Sequence, residues 1–196
     1  MSVPNTDTAQ AHALSAPSAW VTRWSHLLPP DCAVLDVACG SGRHLQWFAA
    51  RGHAVWGVDK DVAAARAHVP GAQLVEADIE NGPWPLNTPN GTRQFGAVVV
   101  TNYLWRTLLP TLLQSLSPGG LLLYETFAAG NETVGRPARP DFLLEPGELL
   151  QVCDGLQIIA YENGYLPNPE RFVQRVAAFA PALPVGSGPA IPRHTL

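Results

Sequence analysis

Asp36, Gly40 and Gly42 stand where an apolar run, Ala33–Ala38, gives way to a helical stretch beginning near His44. Glycines at these positions let the backbone turn tightly and approach a ligand with no Cβ in the way. Free N–H groups at the start of a helix favour an anionic group, a carboxylate as readily as a phosphate. Asp59 follows nineteen positions after Gly40, at the end of the next apolar run. A carboxylate there can accept two hydrogen bonds from a ribose diol. A tight turn alone also explains the glycines, and Asp59 or Asp61 could cap the following helix; the expectation is that Asp61 caps and Asp59 binds.

Two details bear on which ribose-bearing ligand suits the loop. A dinucleotide fingerprint needs a third small residue three positions after the second glycine. Leu45 stands there, preceded by Arg43 and His44. Asp36 would sit poorly beside a pyrophosphate, whereas an acid suits the ammonium of a methionine moiety.

The elements that must position these residues follow from the rest of the chain. Ser18–Leu28 has helical spacing and is ended by Pro29 and Pro30. Strands are expected at Ala33–Ala38, His53–Val58, Ala72–Ala77, Phe95–Thr101 and Leu121–Phe127, with helices at His44–Arg51 and Val62–Val69 between the first three. Gly52 has the place of a left-handed cap. The unbroken apolarity of Phe95–Thr101 suits a strand covered on both faces. Leu104–Leu116 predicts a helix kinked or split by Pro110, and Pro146–Cys153 one opened by its proline. Asn81–Thr92, Ser117–Gly120 and Ala128–Asp141 read as loops. Leu156–Tyr161 and Phe172–Ala180 are two strands with no helix between them, a hairpin. The alternation predicts an α/β fold: a doubly wound, seven-stranded, mostly parallel sheet with an antiparallel last strand.

In this order the motifs resemble those of class I S-adenosylmethionine-dependent methyltransferases. LDVACGSGRH is similar to their first motif, VWGVDKD to the second with its ribose acid, VEADIE to the acidic loop, FGAVVVTNYLWR to the fourth-strand motif and LSPGGLLLYETF to the turn and strand that follow. The resemblance spans about residues 18–180. ETFAAGNETVGRPARPDFLLEPGELL and the later YEN and VQRVAAF segments resemble small bacterial methyltransferases of the tellurite-resistance-like group. It implies S-adenosylmethionine as cofactor, held by Asp36, Gly40, Gly42, Asp59, Asp78 on the adenine amino group, the Ile79 backbone, Asn102 and Tyr103. The chain lacks the inserted lid domain of larger relatives, so the N-terminal helix, the 128–143 loop or a partner must select the acceptor.

Transfer from a sulfonium is an in-line displacement in which positioning supplies most of the acceleration, so no base need be evident. Tyr103, Glu125 and Arg136 are the candidates for the chemistry. Tyr103 or Trp105 could face the sulfonium, unless Trp105 packs the following helix. Glu125 could be a base or hold an amine, or bond the backbone of the glycine-rich loop. Arg136, with Asn131 and Glu132, could clamp an oxyanion from the long loop, or the loop is a compact turn. His44 reads as packing beside the methionine moiety and Cys39 as a small strand-end residue.

The 196 residues suffice for one domain with a substantial core. A net charge of −4 gives no reason to expect nucleic acid as partner. Three scattered cysteines and six dispersed histidines suggest neither a disulfide framework nor a metal site. Met1–Pro17 lacks the pattern of a secretory signal and no run approaches a membrane span, so a cytoplasmic protein is expected. Residues 1–15 read as disordered, 16–180 as the methyltransferase domain and 181–196 as a flexible proline-rich tail. The expected function is methyl transfer to a small-molecule acceptor by a monomer or homodimer. A non-catalytic S-adenosylmethionine-binding module and an NAD-dependent oxidoreductase are the alternatives.

Overall fold

The structure, a computed structural model, describes residues 14–182. The readings of residues 1–15 and 181–196 fall almost wholly outside them; Ser15, which is described, lines a cleft.

Seven strands form one sheet: β1 (Ala33–Val37), β2 (Ala54–Asp59), β3 (Gln73–Glu76), β4 (Phe95–Thr101), β5 (Leu116–Phe127), β6 (Gln157–Pro167) and β7 (Glu170–Phe179). Their order is β3-β2-β1-β4-β5-β7-β6. The first five are parallel, and β7 lies antiparallel to both β5 and β6. The expected architecture is therefore present, and the last strand enters between β5 and β6.

β4 is central because nothing in it asks for water: six of its seven residues are buried. Its side chains alternate between two cores, as the two-residue period of a strand requires. Val98 and Val100 join Leu112 of α4 (Leu109–Gln114) and Leu149 of α5 (Glu148–Val152) on one face. Ala97 and Val99 join α1 (Ala19–Trp24), α2 (Arg43–Ala49) and α3 (Ala63–His68) on the other, through Trp20, Trp24, Leu45, Phe48 and Ala65.

Several boundaries differ from the expectation, each for a local reason. Pro110 does not kink a long helix; it lies in the first turn of α4, where its missing N–H costs nothing, and Arg106–Leu108 form a separate 3-10 turn. Pro146 lies outside α5, which begins after Gly147 in the left-handed conformation. Ser117–Gly120 is absorbed into β5, whose register against β4 shifts between Phe95 and Ala97. The Asn81–Thr92 loop contains a small hairpin pairing Asn87–Thr88 with Gly91–Thr92. The β6–β7 hairpin is longer than its apolar stretches suggested. Among the described residues no helix is long and apolar enough to cross a membrane.

The loop after β5 is anchored by a residue the sequence did not single out. Arg106 donates to Glu148 from Nε at 2.7 Å and from Nη2 at 2.9 Å, and to the carbonyls of Asp141 and Leu143 at 2.8 Å each. The arginine is 42% exposed, so Arg106→Ala is expected to cost only about 1 kcal/mol of global stability. Its effect is local: amides of residues 129–143 should exchange with solvent faster, while those of β4 do not. Hydrogen-exchange mass spectrometry of the two proteins checks this, and equal exchange in that loop would count against the anchor.

Candidate active site

The carboxyl ends of β1, β2 and β4 face one another across an open region, the place where a doubly wound sheet receives ligands. Two residues other than glycine have positive φ there, Ala38 (54°) after β1 and Asn102 (55°) after β4. Such backbone costs of order 1–3 kcal/mol and gathers at functional sites. The Asn102 amide donates to the Glu125 carbonyl at 2.9 Å, which pins the bend.

The two loop glycines do different work. Gly40 has φ +53°, and a Cβ there would meet open space. Its N–H donates to Asp59 Oδ2 at 2.7 Å. Gly42 has φ +85°, and a Cβ there would come within 3.3 Å of Ala65. It therefore lets α2 start close against α3 and does not face the cleft, contrary to the ligand-binding role expected of it. Asp61 Oδ1 accepts the Ala63 N–H at 2.9 Å, holding the first amide of α3 from one residue before its N-cap, Val62, rather than as the cap itself. Asp59 Oδ1 accepts the Asp61 N–H at 3.1 Å, leaving further lone pairs on both Asp59 oxygens.

A cleft of about 210 Å³ runs over the ends of β2 and β3, lined by Asp59, Asp78, Ile79, Glu80 and Tyr103 among others. Asp78 is engaged on both oxygens, by Lys60 Nζ at 3.0 Å and Asn81 Nδ2 at 3.1 Å on one and by the Glu80 and Asn81 amides on the other. The Asn81 and Lys60 bonds hold its carboxyl well below the usual range, so it is an acceptor at any physiological pH. A second cleft, lined by Gly40, Arg43, His44, Thr101, Asn102 and Tyr103, lies over β1 and β4. Arg43 crosses it to donate to Thr101 Oγ1 at 3.2 Å. A third, between β4, β5 and the loop after β5, is bounded by Glu80, Tyr103, Phe127, Pro137 and Phe142.

Asp36 lies beneath the second cleft and is 1% exposed. Its Oδ2 has no hydrogen-bond partner; His44 Nδ1 is 3.5 Å away. His44 Nε2 accepts the Ser18 N–H at 3.1 Å, which leaves the ring proton on Nδ1, facing Asp36. Burial and then the negative charge of Glu80 raise the Tyr103 phenol far above its ordinary value. It stays protonated, a donor and not a base, with the Glu80 carboxylate the acceptor nearest its buried hydroxyl.

Glu125, Arg136, Asn131 and Glu132 stand elsewhere than the crevice chemistry required. Glu125 is 1% exposed, and its oxygens are taken by Ser18 Oγ at 3.0 Å and Arg175 Nη1 at 3.0 Å, with Arg171 Nη2 at 3.6 Å. It neither bonds the glycine-rich loop nor faces the cleft as a base. Arg136 is exposed, one residue before the cleft-lining Pro137. Asn131 is buried and binds the Pro137 carbonyl and the Phe172 amide, while Glu132 accepts the Gly130 N–H, so both hold the loop together. Trp105 packs against the core. Burial pushes the Cys39 thiol up, as suits an inert strand-end residue. Arg43, Ser18 and Glu80 were missed as site residues; Arg43 stands inside the glycine motif and Glu80 at the end of VEADIE, so both had a signal, and Ser18 had none.

Residues 34–120 match a family described as a methyltransferase domain. Over that segment the chain is similar to methyltransferase domains. That segment holds the glycine loop, Asp59, Asp78 and Tyr103, and the sheet order with its antiparallel β7 belongs to the same fold. Similar solved structures include TehB from Haemophilus influenzae (TM-score 0.69, 18% identity, covering 86% of this chain and 64% of that one). Others are a TehB-like S-adenosylmethionine-dependent methyltransferase from Corynebacterium glutamicum (0.59, 20%, 83% and 86%) and the N-methyltransferase NodS from Bradyrhizobium japonicum (0.62, 14%, 82% and 93%). At these identities the likeness is one of fold, and the chain spans under two thirds of TehB. No curated protein sequence matches it. The cofactor of such a domain is S-adenosylmethionine, and the residues present fit it: Asp36 has an orphaned buried carboxylate oxygen, the space over Gly40 is open and Asp59 keeps free lone pairs.

Proposed function

We propose that this methyltransferase, as a single domain over residues 16–180, methylates a small molecule bound beside Tyr103. The observation that carries the reading is that Tyr103 lines all three clefts. One residue at the junction of a ribose-and-adenine cleft, a methionine cleft and an apolar third cleft marks where donor and acceptor meet. Asp59 takes the ribose hydroxyls, and Asp78 and the Ile79 backbone take the adenine once Lys60 swings aside. Gly40 and Asn102 bound the methionine moiety, Arg43 takes its carboxylate, and Asp36 supplies the charge facing its ammonium. The sulfonium brings an already activated methyl group. The chain's part is then to align, to keep water out and to offer the Tyr103 hydroxyl as a donor. Cys32, Cys39 and Cys153 are free thiols, which agrees with a cytoplasmic enzyme, as a monomer or homodimer.

Differential scanning fluorimetry tests the assignment. S-adenosylhomocysteine at about 100 times its Kd stabilises a folded protein by about 2.7 kcal/mol. For a chain of this size that is a rise of about 5–10 °C in Tm. NADH should give none. Stabilisation by NADH alone would reject the reading. Release of S-adenosylhomocysteine on incubation with metabolite extract distinguishes turnover from binding.

A further inference from the structure

The third cleft, of about 280 Å³, has a one-sided chemistry. Phe127, Pro137, Phe142 and Leu104 give it apolar walls, and its single charged lining group is the Glu80 carboxylate. No lysine, arginine or histidine lines it. The nearby arginines are committed elsewhere: Arg106 to Glu148, Arg139 to Asp141 at 2.7 Å, and Arg43 to Thr101. Phe142, at the loop's end, is 36% exposed although it forms part of the wall, as expected for a surface that an apolar ligand covers. Glu80 itself is exposed, and among the described residues no lysine, arginine or histidine forms an ion pair with it; the polar side chain that approaches it is the Tyr103 hydroxyl. That hydroxyl is buried, so the Tyr103–Glu80 pair sits where the three clefts meet.

We infer that the acceptor is a small amine with an apolar body, its basic nitrogen held at Glu80 and its body against Phe127, Pro137 and Phe142. This rests on the methyl-transfer reading and narrows it: among the groups lining the cleft an oxyanion acceptor would find a carboxylate and no cation, the Arg139 guanidinium over the Phe142 ring being paired with Asp141. The raised phenol of Tyr103 agrees, since Glu80, Asp78 and Asp59 together make the junction electronegative. Glu80 is a specificity-determining residue here, because it selects the charge of the ligand and the apolar walls select its body.

The test uses protein saturated with S-adenosylhomocysteine and two isosteric probes, 2-phenylethylamine and 3-phenylpropionate, titrated by calorimetry, with tellurite as an oxyanion. The amine should bind at least about tenfold more tightly than the carboxylate, the difference one charge-assisted contact makes. In Glu80→Gln that preference should fall to about twofold or less. Equal binding of both probes, binding of neither, or a preference for the carboxylate or for tellurite that Arg136→Ala abolishes would each overturn the inference. Failure of S-adenosylhomocysteine to bind at all would instead strike the methyl-transfer reading, so the two failures are distinguishable.

Discussion

Asp59→Ala lowers the affinity for S-adenosylhomocysteine about 100-fold, and Asp61→Ala leaves it within about twofold. The two acids are two residues apart yet stand in different surroundings. Asp59 ends β2 on the cleft wall, and a ribose diol would bring it two charge-assisted hydrogen bonds, each of about 1.5–3 kcal/mol. A 100-fold loss corresponds to about 2.7 kcal/mol, within what two such bonds can supply. Asp59 also receives the Gly40 N–H, so its removal loosens the loop that must approach the ligand. Asp61 holds only the Ala63 amide at the start of α3, and its loss is expected to cost about 1 kcal/mol of stability. Calorimetric titration of both variants, with Tm measured alongside, separates binding from capping. Equal affinities in the two would return Asp59 to a structural role.

That contrast was legible before any coordinates because it is local. A carboxylate at a strand end, nineteen residues after a glycine loop, and a second acid two residues on, at a helix start, report their places through spacing alone. β4 was legible for the same reason, since an apolar run without alternation has no face to offer water. What failed was whatever depends on which elements meet. Glu125 was placed correctly near the carboxyl end of β5, where residues commonly reach the crevice. Its partners come from β7 and from the cap of α1, Ser18 lying 107 residues away. No spacing rule reports such a contact, because it is set by β7 entering the sheet antiparallel beside β5. Asn131 misled in another way. A polar residue in a glycine-rich loop invites a ligand-facing role, but a loop with few apolar side chains must satisfy its own buried amides and carbonyls, and Asn131 does that. Glu80 closes the VEADIE motif, but the motif does not report its part in the third cleft, because that depends on which groups line the opposite wall.

Arg175→Met is expected to lower Tm by about 6–12 °C, the largest effect on stability of any single change outside the apolar core. Glu125 is 2% exposed at its side chain and Arg175 15%, so the pair is shielded from water. Removing one partner of such a pair costs about 3–5 kcal/mol, chiefly because the other charge is left buried. Arg171 at 3.6 Å and the Ser18 hydroxyl remain to Glu125, which places the cost near the lower figure, and about 3 kcal/mol corresponds to that fall in Tm. Glu162 also loses Arg175, but it is 41% exposed and keeps Arg23 at 3.1 Å, so it adds little. The cause can be isolated with Glu125→Gln, which removes the charge and keeps the shape. If a stranded carboxylate is the cause, the double variant Arg175→Met/Glu125→Gln melts higher than Arg175→Met alone, by several degrees. If lost packing against Trp20, whose ring lies 4.9 Å from the guanidinium carbon, is the cause, the double variant melts no higher. The consequence reaches the site, because the Glu125 carbonyl receives the Asn102 amide and its carboxylate receives the Ser18 hydroxyl, whose own amide holds His44 over Asp36. Arg175→Met should therefore weaken S-adenosylhomocysteine binding as well, although the arginine is not among the residues bounding the two clefts assigned to that ligand. An unchanged affinity in a destabilised variant would show that the ion pair supports the sheet without setting the methionine end of the cleft.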